Sequence, residues 1–304
     1  MTAARRGSRP SSPARAVARL LAAAVAAGAL ALAPGASSCA RPKAAPAIAR
    51  RVVSISPSTT EAMYAIGAAD ALVGRSRYCD YPPEVLRLPQ VGGYVDPNLE
   101  AILALRPDLV VGARGPVGPQ IEKRVGTQGA ATFFPETESL AQIDAMILGL
   151  GARTGHDAGA RGAVDAMHAG EDAIDLALSG RPRVRTLLVF GLEPIVVAGP
   201  KGFPDELLAR AGGVNVVTEG APYPMMGIER ILALDPDVIL NAAIAEAHGA
   251  ERITSDAPGW REVRAVKEGH VVALADESVL RPGPRVVEGL RTIARALHPG
   301  VALP

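Results

Sequence analysis

Aromatic side chains are scarce in this chain: 3% of 304 residues, with one tryptophan, five tyrosines and four phenylalanines. Each ring position therefore carries information. Cysteine occurs only twice, which excludes a disulfide-built scaffold and a four-cysteine zinc site. The five histidines (His156, His168, His248, His270 and His298) stand in unrelated surroundings, so no metal centre is expected. An excess of one charge is also missing. Lys+Arg number 32 against 31 Asp+Glu, a formal net charge of +1, which argues against nucleic acid as the main partner. No nucleophile elbow, phosphate-binding loop or H-E-x-x-H motif is present. Gly149-Leu150-Gly151 lacks both the spacing of a dinucleotide loop and a strand before it. No catalytic residue, enzymatic activity or resident cofactor is expected. What is abundant is apolar: 48% hydrophobic against 21% charged residues, the balance of a folded core.

The first fifty residues differ from the rest. Arg5, Arg6, Arg15 and Arg19 precede an unbroken small and aliphatic run, Leu20–Ala33, and no acidic residue occurs before Glu61. A basic stretch followed by a short apolar one reads as a secretory signal over residues 1–38. Fourteen residues fall short of the roughly 20 that a membrane span needs. Ala36-Ser37-Ser38-Cys39 resembles a bacterial lipoprotein processing site, with Cys39 as the residue to be lipidated; cleavage near Ala45-Pro46-Ala47 is the alternative. In either case Cys79 is left as a free thiol. Residues 39–50, carrying two prolines, read as a flexible tether.

The strongest internal signal is a repeat. Asn98–Gly112 (NLEAILALRPDLVVG) and Gly227–Asn241 (GIERILALDPDVILN) share seven of fifteen residues, and four more positions exchange one aliphatic for another, at a constant offset (229 − 100 = 129). Two copies so far apart imply two related lobes rather than a solenoid. Each copy places apolar residues at helical spacing, stops at a proline (Pro107, Pro236), and continues as an aliphatic run suited to a strand buried on both faces. Around the copies, Arg51–Ile55, Val184–Phe190 and Val214–Val217 read as strands. Ser58-Thr59-Thr60-Glu61 reads as a capping box that opens a helix ending at Gly67, and Phe203–Ala211 as a further helix. Alternating strands and helices give an α/β fold of two Rossmann-like lobes, residues 51–138 and 183–304. The segment between them, free of proline from Ser139 to Ser179 and read as helix over 139–182 with a break near Gly149–Gly155, joins the two.

Four of the five tyrosines fall in irregular segments. Tyr78 and Tyr81 lie beside Pro82-Pro83, Tyr94 follows Gly92-Gly93, and Tyr223 stands between Pro222 and Pro224. Loops on a rigid scaffold are where binding residues gather, and a phenol offers a flat apolar face with a polar tip. Tyr94 and Tyr223 each precede the repeat glutamate by six residues (100 − 94 = 6; 229 − 223 = 6). Glu100 and Glu229 are the only acidic–acidic pair kept in register outside the P-D turn. Each can simply offset the positive end of its helix dipole. Together they offer one carboxylate per lobe to a twofold-symmetric partner with arginine pockets.

The stretches RVVSISPSTTEAMYAIGAADALVG and SRYCDYPPEVLRLPQVGGYVDPNLEAILALRPDLVV resemble the substrate-binding proteins of ABC importers for cobalamin, iron-siderophores and haem, most closely the cobalamin-binding members. The resemblance runs from Arg51 to Leu297. It implies two α/β lobes joined by a single long interdomain helix, the class III periplasmic binding architecture, with the ligand held in the cleft. It implies cleft positions at Tyr78, Tyr94, Ala113, Phe190, Tyr223 and Asp276, and at Arg281 or Arg285. It implies docking through Glu100 and Glu229 on a permease dimer that works with ATPase subunits. The implied cargo is cobalamin or a related corrinoid; haem or a ferric siderophore is the alternative. The implied location is periplasmic, free or held by a lipid anchor. Better-known cobalamin binders place tryptophans at the positions of Tyr94, Ala113 and Tyr223, whereas Trp260, the only tryptophan here, lies elsewhere.

Overall fold

The computed structural model describes residues 48–114, 118–246, 252–254 and 256–304. The signal region, the tether up to residue 47 and Cys39 lie outside them.

The first half opens with β1 (Val52–Ser54), α1 (Pro57–Ala65) and β2 (Leu72–Arg75), followed by α2 (Leu99–Ala104), β3 (Leu109–Val111), α3 (Gly118–Gly126) and β4 (Ala131–Phe133). Its four strands are all parallel, in the order β2-β1-β3-β4. Two helices follow, α4 (Leu140–Thr154) and α5 (Asp157–Leu178). The second half runs β5 (Val184–Leu192), β6 (Ile195–Val197), α6 (Phe203–Arg210), β7 (Gly213–Asn215), α7 (Ile228–Leu234), β8 (Val238–Asn241), α8 (Ala243–Glu246), α9 (Arg264–Lys267), β9 (Val271–Ala273) and α10 (Val286–Leu297).

The duplication read from the sequence is visible in the sheets. In the second half β7, β5, β8 and β9 lie side by side and parallel, the same permutation as β2-β1-β3-β4. The two repeat copies fall on α2–β3 and α7–β8. The second half adds β6, which turns back antiparallel on the far end of β5.

Strand burial explains why these runs are aliphatic without alternation. Val52, Leu109 and Val111 point to one face of the first sheet, and Val53 and Val110 to the other. Leu188 and Leu240 join the same central core as the first group, while Leu187, Val189 and Ile239 point to the outer face of the second sheet with Trp260. The tryptophan is thus a core residue. Burying each such side chain contributes about 1.5–3 kcal/mol.

The proline-free segment breaks at Gly155, whose φ of +76° ends α4 in the left-handed conformation that glycine adopts without penalty. Gly151, one turn earlier, permits close packing on α5, since a Cβ there would lie 2.5 Å from that of Ala160. α4 packs against α1 and α5. α5 continues alone for 22 residues, about 33 Å, and reaches α10 of the second half. Ile143, Ile147, Leu150, Val164, Met167, Ile174 and Leu178 all face the central core.

One expected local feature is absent. The Ser58–Glu61 capping box does not form: α1 begins at Pro57, with Ser56 at the cap position and making no side-chain cap. Proline at the first helical position needs no N–H partner. Ser56 Oγ instead accepts the Ala113 N–H at 2.9 Å, and Glu61 is freed for a distant pairing described below.

Candidate functional site

In open α/β sheets, ligands meet the carboxyl ends of the strands and the loops beyond them. Those loops carry most of the predicted residues. Ala113 follows β3, buried, with its N–H on Ser56. Phe190 lies near the end of β5 and Tyr223 in the loop before α7. Their rings stand 5.8 Å apart at 55°. Tyr223 Oη donates to Glu138 Oε2 at 3.2 Å, a bond from the second half to the residue just before the cap of α4. Burial, then the Glu138 charge, pushes the Tyr223 phenol above its ordinary range, and the neighbouring Tyr94 adds to this. Tyr94 is pushed up for the same reasons, burial first, then Glu138 and Glu136. Phe190 and Tyr223 of the second half are therefore in contact, Tyr223 is bonded to Glu138, and Tyr94 of the first half is near enough to feel the same carboxylate. Tyr78 is half-exposed, its ring 5.3 Å from the Arg77 guanidinium, which pairs with Asp96.

The C-terminal loop is used differently from expectation. Asp276 accepts from Ser278 N at 2.9 Å and Thr292 Oγ1 at 3.3 Å, so its carboxylate is engaged within its own half. These two bonds hold it below the usual carboxylate range against the opposing effect of burial. Arg281 and Arg285 do not stand free in the cleft. Arg285 forks onto Glu61, Nε and Nη2 at 2.9 Å each, and Arg281 Nη1 reaches the same carboxylate at 3.1 Å. Arg281 also bonds Asp80 at 2.8 Å and pairs with Glu277. The Arg285 guanidinium lies 4.0 Å over the Tyr81 ring. Glu61 is 3% exposed. This cluster ties α1 of the first half to the segment before α10. Arg281 and Arg285 fit the sequence pattern of cleft arginines, but the tertiary structure spends both on a buried carboxylate.

Glu100 and Glu229 occupy the first turns of α2 and α7, both exposed. Among the described residues neither enters an ion pair. Asn98 Oδ1 caps α2 at Ala101 N, 3.0 Å. α7 begins at Gly227 without a side-chain cap.

Sequence reasoning missed Glu61, Glu138 and Asp80 as site residues, and it singled out Tyr81 as a loop tyrosine without its Arg285 partner. Glu61 was absorbed by the false capping box. Glu138 sits in an acidic loop with no periodicity, and nothing in the sequence distinguishes it from Glu136. Among the described residues no group of three or more His, Cys, Asp or Glu side chains is placed to hold a metal, and no helix is long and apolar enough to cross a membrane. A cavity of about 580 Å³ opens at the other end of β5, lined by Arg181, Arg183, Arg210, Asp175 and Glu206. It carries none of the tyrosines.

Residues 52–277 match the model of a family described as periplasmic binding protein. The chain is 30% identical over 260 residues to the vitamin B12-binding protein of Vibrio cholerae serotype O1, covering 84% of this chain and 91% of that protein. The crystal structure of the periplasmic vitamin B12 binding protein of Vibrio cholerae superimposes with a TM-score of 0.70 at 28% identity, over 82% of this chain and 96% of that one. A periplasmic haem binding protein from Pseudomonas aeruginosa superimposes with a TM-score of 0.71, also at 28% identity, over 84% and 95%. With three quarters of its length inside the family model and its duplicated α/β halves in the same arrangement, this chain belongs to the periplasmic binding protein family.

Proposed function

We propose that the chain is an extracytoplasmic receptor that captures cobalamin or a related corrinoid between its two halves and delivers it to an ABC permease. The carrying observation is the Phe190–Tyr223 ring pair of the second half, with Tyr223 bonded to Glu138 and Tyr94 of the first half near the same carboxylate. Flat rings with polar tips suit a broad amphipathic ligand with a hydrogen-bonding rim. The relatives named for vitamin B12 support the choice of ligand. Tyr78, Ala113 and Asp276 complete the proposed lining. Arg281 and Arg285 act in this reading as the tie beneath the cleft rather than as ligand contacts.

Delivery is proposed through Glu100 and Glu229. Exposed carboxylates on equivalent helices of the two halves are suited to a permease dimer driven by its ATPase subunits. Such rim charges set orientation and association rate more than affinity. The N-terminal basic and apolar stretch is proposed to direct export across the membrane, with Cys39 as the lipid anchor. The long helix α5 and the Glu61 cluster resist hinge opening, so the proposed capture involves small movements.

The test is titration of the purified protein with cyanocobalamin, haemin and a ferric hydroxamate, followed by calorimetry and absorbance. Tight binding of cyanocobalamin alone is expected. The haem-binding relative makes haemin the informative rival: saturation by haemin with no response to cyanocobalamin would overturn the corrinoid reading.

A further inference from the structure

We infer that Glu138 is a specificity-determining residue of the cleft: its carboxylate accepts hydrogen bonds from primary amides on the ligand rim and turns away ligands that bring a carboxylate to the same place. This rests on the corrinoid reading and deepens it.

The backbone of Glu138 is fixed by its N–H on Gln142 Oε1 at 2.7 Å, one residue before Ser139 caps α4. Its Oε2 takes the Tyr223 hydroxyl at 3.2 Å. Its Oε1 accepts no bond from the described residues, so one face of the carboxylate is left for a donor from outside. Burial and the Glu138 charge both keep the Tyr223 phenol protonated through neutral pH. The site therefore presents protonated phenols beside the Glu138 carboxylate, while the nearby Glu136 is paired with Arg114.

Cations that could welcome a carboxylate are already committed. Arg114, next to Ala113, pairs with Glu136 at 3.2 Å and Glu122 at 3.4 Å. Arg281 and Arg285 are held by Glu61, Asp80 and Glu277. Arg75 is buried, with Nη1 on the carbonyls of Ser76 and Cys79. A corrinoid rim of primary carboxamides supplies N–H donors to Glu138 without bringing charge. A ring bearing ionised acids would set like charges against each other in a half-buried place, where Arg75, Arg114, Arg281 and Arg285 are engaged as above and Arg77 is paired with Asp96.

The experiment compares the full chain with Glu138→Gln and Glu138→Asp. The probes are cyanocobalamin and its monocarboxylic acids, made by hydrolysing one peripheral amide, each titrated by calorimetry at pH 7. The unaltered protein should bind at least one acid about tenfold or more weaker than cyanocobalamin, the size of a like-charge penalty at several ångströms. Glu138→Gln should shrink that ratio to about threefold or less, and Glu138→Asp should restore it. A ratio that persists in Glu138→Gln while cyanocobalamin still binds tightly would overturn this inference and leave the corrinoid reading standing. Equal binding of all the acids by the unaltered protein would do the same. Binding of haemin and of no corrinoid would overturn both.

Discussion

Removing the carboxylate of Glu61 tests how the two halves are held. In the intact chain that group is 3% exposed and receives three charged hydrogen bonds, two from Arg285 at 2.9 Å and one from Arg281 at 3.1 Å. Glu61→Ala leaves the Arg285 fork facing empty space, with Glu288 at 3.7 Å as its remaining carboxylate. Arg281 is less affected, because Asp80 and Glu277 stay in place. Breaking a buried pair by deleting one partner costs about 3–5 kcal/mol. The lower end applies, since Arg285 can still rest on Tyr81. For a chain of this size about 3 kcal/mol corresponds to a fall in Tm of roughly 6–12 °C. Differential scanning calorimetry at neutral pH measures it directly. A double variant, Glu61→Leu with Arg285→Met, should recover most of the loss, because a well-packed apolar pair replaces a buried ionic one at little cost. A fall of less than about 2 °C in Glu61→Ala would refute the reasoning, since it would mean that the arginines are as well satisfied without the carboxylate.

Other consequences follow from the same geometry. Cys79 is fully buried, and burial pushes its thiol up despite its hydrogen bonds with Ser76 and Thr60. It should resist Ellman's reagent in the native protein and react only at the rate of unfolding; fast labelling would contradict its placement. Gly159→Ala would drive a Cβ to 2.2 Å from the Ile66 carbonyl oxygen, where α5 crosses the end of α1. It should cost about 1–3 kcal/mol, and an unchanged Tm would count against the close approach. His168 is held above its ordinary pKa by its 2.7 Å bond to Asp144. The small stabilisation from that pair is full below the ordinary histidine value and is lost as pH rises through the raised one. An NMR titration should show the His168 midpoint falling in Asp144→Asn, and no change would exclude the pairing. Finally, Glu100→Ala with Glu229→Ala should leave cyanocobalamin affinity within about twofold while uptake in cells stops, as rim charges imply. A collapse of affinity would place those glutamates in the cleft instead.

The sequence alone determined the elements that local chemistry specifies. Leu109-Val110-Val111 and Val238-Ile239-Leu240 are strands in both readings because unbroken aliphatic runs after a helix-stopping proline have few alternatives. The duplication was legible because the two copies kept the same order of helix, proline and strand, and the sheets repeat that order. The break at Gly155 was legible because glycine is the residue that ends a helix in the left-handed conformation. Tertiary structure alone decided what pairs with what. Glu61 and Arg285 are 224 positions apart. No local pattern distinguishes a glutamate that caps its own helix from one that crosses to a distant arginine, because both begin from the same Ser-Thr-Thr-Glu. Glu138 was silent for the same reason. A carboxylate in a loop acquires its role only when folding brings a phenol from the other half to 3.2 Å, beside a second long-range tie, from the Leu140 N–H to Glu206 of α6 at 2.8 Å.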